Sequence, residues 1–213
     1  RFFEGKWGTS EAIIHTLLAE SLLNVSATWV DNFIRRARLI RVMDHGDASP
    51  TCCLWFATQG KIHICYREYY VSGQLISYHR REIAALSKHD YDLLGEKCYS
   101  QSLADPDIFK KHSQKNNAFW TVAQEYIDRE LEAPPIIWSP ADNNEFATRN
   151  RINEYLPIHP HIIHPVTGKL GAPLSYFVER NADNPNGCYH VIQQIKQAKR
   201  KLLGSINGRN IYD

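Results

Sequence analysis

Three acids stand where a chain with strands would place chemistry. Asp44 and Gly46 close the apolar run "RLIRVMDHG", and Asp105 closes "SLADPDIF", with Asp107 two residues on. Glu68 lies toward the end of a third run, "KIHICYREYY". In open α/β sheets, ligand sites gather beyond the carboxyl ends of the strands. If the strands ending at Asp44 and Asp105 are adjacent and parallel, their carboxylates converge. Glu68 reaches the same place if its side chain faces inward. Clustered carboxylates repel, so they need a cation to be stable together. Magnesium and manganese prefer hard oxygen ligands of this kind. Two such ions about 4 Å apart can activate a water and stabilise the leaving oxygen of a phosphodiester. Gly46 lets the chain turn tightly beside such a site. Read without that chemistry, the same acids are solvated turns at strand ends.

Other groupings carry less. "HPHIIHP" places His159, His161 and His164 close enough to chelate a divalent metal, but no carboxylate partner is obvious and a loop with surface histidines explains it as well. Cys52, Cys53, Cys65 and His63 suggest zinc only loosely, because buried thiols are the simpler account. Lys196, Lys199, Arg200 and Lys201 lie beside Val191, Ile192, Ile195 and Leu202, so one side of a last helix could track phosphates or simply be solvated. Arg149 and Arg151, and Lys110 and Lys111 just after Asp105, are further phosphate candidates. There is no G-x-S-x-G, G-x-G-x-x-G or P-loop, so serine-hydrolase, dinucleotide and nucleotide-hydrolysing readings have nothing to rest on.

The totals bound the class. The chain has 213 residues, 43% hydrophobic and 23% charged, as an ordinary globular protein has. No run of eighteen apolar residues occurs, so no membrane span or membrane partner is expected. The start, "RFFEGKWGTSE", has neither signal-peptide pattern nor initiator Met, which suggests a piece of something longer. A net charge of +2 and a pI near 8.3 permit a nucleic-acid partner without demanding one. Five cysteines, an odd count at low density, argue for reduced thiols rather than a disulfide framework.

The elements that must hold the acids follow from periodicity. "SEAIIHTLLAESLL" reads as a helix capped by Ser10, and "ATWVDNFIRRA" as a second. "RLIRVMD", "TCCLWFAT" and "KIHICYREYY" read as three strands joined by short turns, hence antiparallel neighbours, the middle one buried on both faces. "LISYHRREIAALSKHD" is a helix, and a fourth strand ends near Ala104-Asp105. "NAFWTVAQEYIDREL" is a helix stopped by Pro134-Pro135, "PPIIWSPAD" a strand and turn, and "NEFATRNRINEYL" a helix. A loop through "HPHIIHP" leads to a strand at Leu174 to Val178. "CYHVIQQIKQAKRKLL" is an amphipathic helix closed by Gly204. A strand meander followed by alternating helices and strands predicts an α/β fold with a mixed sheet. An alternative reads "NVSATWVDNFIRRARLIRV" and the following hairpin as a winged helix-turn-helix, with Arg35 and Arg36 facing the major groove.

The stretch from Arg41 to Ile83, "RVMDHGDASPTCCLWFATQGKIHICYREYYVSGQLISYHRREI", resembles the nuclease domain of tailed-phage terminase large subunits, the DNA-packaging motors. "LADPDIF" is similar to the segment carrying that family's second acid, and "RFFEGKW" to its linker. The resemblance implies a ribonuclease H-like mixed sheet flanked by helices, with residues 1–38 a linker and N-terminal helical segment and residues 39–213 the nuclease domain. It implies metal-dependent cleavage of double-stranded DNA with Mg2+ or Mn2+. Asp44 and Asp105 would hold the metals, Asp107 being the fallback, and Glu68 would assist. It further implies the small terminase subunit and the portal protein as partners, in the host cytoplasm. The family's third acid, expected in an Asp-His segment before a last helix, has no match here, and Asp183 and Asp213 are poor substitutes. An inactive ribonuclease H-like assembly subunit is therefore a second alternative.

Overall fold

A computed structural model describes residues 18–115, 118–129, 133–142, 154–197, 202–206 and 209–212. Seven strands form one mixed sheet: β1 (Leu22–Leu23), β2 (Arg38–Asp44), β3 (Thr51–Gln59), β4 (Ile62–Val71), β5 (Tyr99–Ala104), β8 (Ser139–Pro140) and β11 (Ser175–Val178). Their order is β1-β11-β4-β3-β2-β5-β8. β2, β3 and β4 form the expected antiparallel meander. β5 then pairs with β2 in parallel, and β8 with β5. β11 and β1 extend the sheet in parallel beyond β4. β1 lies in the stretch expected to precede the nuclease domain.

Helices flank the sheet: α1 (Ala27–Ile34), α2 (Ile76–Leu94), α3 (Val122–Ile127) and α4 (His190–Gln197). Strand alternation sorts the core into two faces. Leu39, Met43, Cys53, Trp55 and Ala57 share one apolar cluster with Ile83 of α2 and Ile34 of α1. On the other face, Cys65, Phe177 and Ile192 of α4 cluster with Leu54 and Phe56 packed against them. β3 is fully buried on the first face and half-buried on the second. Cys52 and Cys53 therefore face opposite ways, which leaves the zinc reading without a common centre.

The α2 face also buries Asp90 and Ser87, and both are hydrogen-bonded. Asp90 accepts from Arg67 Nη1 at 2.8 Å and Nη2 at 2.9 Å, from the Tyr66 hydroxyl at 2.9 Å and from the Tyr99 hydroxyl. Ser87 accepts from Trp55 Nε1 and Arg41 Nη1, both at 3.1 Å. These directional bonds set the seating of α2 on the sheet, where apolar contact alone would permit sliding.

Several expectations need correction. The helix predicted from Asn117 begins only at Val122. Thr121 and Gln124 form a capping box there, and the preceding residues pair as β6 (Lys111–Lys115) with β7 (Ala118–Thr121). The expected loop through "HPHIIHP" is a hairpin of β9 (His159–Ile163) and β10 (Leu170–Ala172). The last helix is described from His190 to Gln197, and it does not run on to Gly204. Leu202–Ile206 is strand β12, with Gly204 paired to Ile211 of β13 (Arg209–Tyr212). A downstream pairing partner overrode the helical spacing of Leu202. The helices predicted at Ser10 to Leu23 and Asn144 to Leu156 fall largely outside the described residues. β2 and β3 lie at the centre of the sheet and are not a wing, and α1 buries Val30 and Ile34.

A candidate metal centre at the ends of β2 and β5

β2 and β5 run in parallel with Met43 opposite Ala104. The next residue on each chain is an acid, Asp44 on one and Asp105 on the other. The Asp105 N–H donates to the Met43 carbonyl at 3.0 Å, which carries the ladder to the edge of the pair. Asp105 then leaves the strand and caps a 3-10 turn, Pro106–Phe109, its Oδ1 accepting from the Asp107 N–H at 2.7 Å. Partial burial, then the charge of Asp105, then that of Asp107, hold the Asp44 carboxyl above its ordinary range. That repulsion is what a cation would relieve. Asp107 also meets Lys110 Nζ at 2.5 Å. Among the described residues, no three His, Cys, Asp or Glu side chains come together as a complete metal site.

The turn after Asp44 is closed by side chains that sequence reasoning missed. Thr51 Oγ1 accepts from the Gly46 N–H at 3.3 Å and donates to the Gly46 carbonyl at 3.1 Å. A Cβ on Gly46 would lie 2.2 Å from the Ser49 carbonyl oxygen, so only glycine fits this close approach. His45 Nδ1 sits 3.2 Å from Thr51 Oγ1 and 3.3 Å from the Tyr126 hydroxyl of α3. His79 packs edge-on against His45, and its own Nδ1 is 2.6 Å from the Tyr69 hydroxyl. Burial, then the neighbouring His79, push His45 down to about 4. The signal in the sequence was a histidine directly after the acid, but its partners lie on three other elements.

Glu68 is placed apart from the two strand-end acids. It is 3% exposed and accepts three backbone N–H bonds at the start of α4, from Tyr189 at 2.8 Å, His190 at 2.8 Å and Val191 at 2.6 Å. A carboxylate there complements the helix N-terminus. Its oxygens thus hold α4 on the sheet. α4 in turn stacks His190 on Tyr70, centroids 4.4 Å apart, and Gln194 Nε2 donates to the Tyr70 hydroxyl at 2.9 Å. Tyr70 and Asp44 are both register partners of Cys52, so α4 begins along the row that ends in Asp44.

Of the basic candidates, Lys110 lies beside the acids and Lys196 in the last turn of α4. Lys111 is the first residue of β6. Arg149, Arg151, Lys199, Arg200 and Lys201 lie outside the described residues. The histidines of β9 and its turn do not converge: His159 Nε2 meets the Glu154 carbonyl at 2.8 Å, and His164 Nδ1 accepts from the Val166 N–H at 3.1 Å.

No family model matches the sequence, and no curated protein matches it. Solved structures do match. The large terminase nuclease domain of bacteriophage SPP1, solved with bound Mn, is 11% identical with a TM-score of 0.50, over 90% of this chain and 85% of that one. The large terminase of a thermophilic bacteriophage is 10% identical with a TM-score of 0.47, over 68% of this chain. This chain spans 31% of that protein's length. The likeness to the SPP1 domain shows the fold, an α/β ribonuclease H-like mixed sheet flanked by helices, as the sequence resemblance led us to expect.

Proposed function

We propose that this chain is the nuclease domain of a terminase large subunit, a metal-dependent endonuclease that cuts double-stranded DNA during phage genome packaging. The observation that carries the reading is the meeting of Asp44 and Asp105 at the ends of adjacent parallel strands, with the Asp44 carboxyl raised by partial burial and then by the charge of Asp105. The SPP1 domain of the same fold was solved with bound Mn, which supports a divalent cation here.

The donor set fits Mg2+ or Mn2+ in kind, being hard carboxylate oxygens that repel one another when empty. Asp44 and Asp105 would hold the metal, with Asp107 able to stand in. A divalent ion so held, alone or as a pair, supplies charge stabilisation for a phosphodiester and a more acidic water. The chain's own residues do the rest. The Gly46–Thr51 closure fixes the direction in which Asp44 leaves its strand. Glu68 fixes α4 on the face that Asp44 shares, where it acts as a clamp. Lys110 and Lys196, with Lys111, Arg149, Arg151, Lys199, Arg200 and Lys201, would bind phosphates and so confer little sequence choice. The small terminase subunit, the portal protein and the host cytoplasm complete the reading as proposed partners and place.

The test is plasmid cleavage with manganese, run beside Asp44→Ala and a chelator. Cleavage that needs both the metal and Asp44 is the expected result. Cleavage by Asp44→Ala equal to the parent's would sink the site. A chain that cuts nothing yet binds a portal or motor protein would favour the inactive assembly subunit. Metal-independent DNA binding that survives loss of Asp44 would favour a non-catalytic DNA-binding protein.

A further inference from the structure

We propose that the end of the sheet remote from Asp44 is a docking surface for a protein partner, an acidic segment that presents an apolar anchor side chain. Arg38 pairs with Thr58 and Asp44 with Cys52, so this end lies about 20 Å from the acids along β2. A cleft of about 360 Å³ opens there, lined by Trp29, Phe33, Arg36, Ile62, Ile163 and Pro165. Trp29 and Phe33 stack with centroids 5.5 Å apart and form an aromatic wall. The β9–β10 hairpin forms the other wall and carries unusual apolar exposure, Ile163 at 59%, Val166 at 43% and Leu170 at 69%. Contiguous exposed apolar surface of this kind marks an interaction site.

Charge selects the occupant. Arg36 lines the cleft, and Arg35, Arg38 and Lys61, close in sequence to its lining residues, are likewise exposed. Among the described residues none of them has an ion-pair partner. Asp31, the acid of α1, is held by His89 at 2.8 Å. The surface is therefore cationic around an apolar slot, which complements glutamates or aspartates flanking a Leu, Phe or Trp. The exposed aliphatic side chains favour a protein over a nucleic acid, whose backbone offers nothing apolar to fill the slot. This inference does not depend on the nuclease reading.

The probe is a fluorescein-labelled peptide of about twelve residues, glutamates around a Trp and a Leu one helical turn apart. It is titrated against the full chain by anisotropy, beside the same peptide with lysines for glutamates and beside single-stranded and duplex oligonucleotides. Saturable binding of the acidic peptide is expected, weakened tenfold or more by Ile163→Asp and by Arg36→Glu and unchanged by Asp44→Asn. Both substituted surface residues are exposed, and circular dichroism checks that the fold is kept. Plasmid cleavage by Ile163→Asp and Arg36→Glu should equal the parent's, which keeps failure of the two readings apart. The proposal is overturned if the lysine peptide binds equally, if no peptide binds, or if the two surface variants bind like the parent. It is equally overturned if an oligonucleotide displaces the peptide, or if the chain self-associates through this face and Ile163→Asp abolishes that.

Discussion

The Asp105 N–H reaches back to the Met43 carbonyl at 3.0 Å, so the residues that leave β2 and β5 together are Asp44 and Asp105. The pairing of the two strands is thereby continued to the point where the two acids leave it, close enough for the charge of Asp105 to act on Asp44. A single backbone bond thus couples the geometry of the acid pair to the register of the sheet.

Asp44→Asn should abolish cleavage and raise stability at neutral pH. The folded-state carboxyl lies above its ordinary 3.8, so ionisation destabilises the fold. That cost sets in as pH rises above 3.8 and is complete above the raised value. Thermal melts should show the variant ahead of the parent at neutral pH, with the gap closing as pH falls toward 3.8. Manganese should raise the parent's melting temperature more than the variant's. An ion at about one hundred times its Kd adds about 2.7 kcal/mol. Equal shifts would remove the metal from this site.

Glu68→Ala leaves three N–H groups at the start of α4 without their acceptor and should cost about 3 kcal/mol. Glu68→Gln keeps one oxygen and should recover part of that loss. Denaturant titration measures both. If Glu68 acts only as a clamp, manganese should shift the melting temperature of Glu68→Gln as much as that of the parent. A lost metal response would return Glu68 to the metal centre.

Gly46→Ala forces a methyl against the Ser49 carbonyl. The Thr51 closure must open, and Asp44 must change direction. Cleavage should fall at least tenfold while the far-ultraviolet circular dichroism stays that of the parent. Full activity in this variant would show that the turn is free to move.

Asp90→Ala removes the acceptor of a buried guanidinium and of two tyrosine hydroxyls. Breaking a buried pair in this way costs about 3–5 kcal/mol. The loss should appear as a lower denaturant midpoint and early hydrogen exchange in α2. A midpoint within error of the parent's would mean that apolar contacts alone seat the helix.

His79 and His63 are both held below the ordinary 6.5, chiefly by burial. The unfolded chain therefore binds protons that the folded chain refuses. Their contribution to stability is fully present above pH 6.5 and is lost as pH falls through the lowered values. His79→Gln should flatten that part of the stability profile below pH 6.5. An unchanged slope would assign the acid sensitivity to other groups.

Much of this was written in local pattern. The bounds of β2 follow from "RLIRVMD" read alone, and β3, β4 and α2 deviate by a few residues, because each buries an apolar stripe whose period the residues display. The two acids were legible for the same reason, since each directly follows such a stripe. What the sequence by itself determined was therefore the meander, its helix and the acids at its strand ends. Only the tertiary structure decided that β5 lies beside β2 and parallel to it, and so that Asp44 and Asp105 meet. It also decided that Glu68, two strands away in the same meander, spends its charge on the start of α4. His45, Tyr126 and Thr51 came together in the same way, from separate elements. Periodicity reports which face of an element is buried, but a carboxylate's partner is set by which distant backbone or side-chain donors the packed sheet brings within about 3 Å.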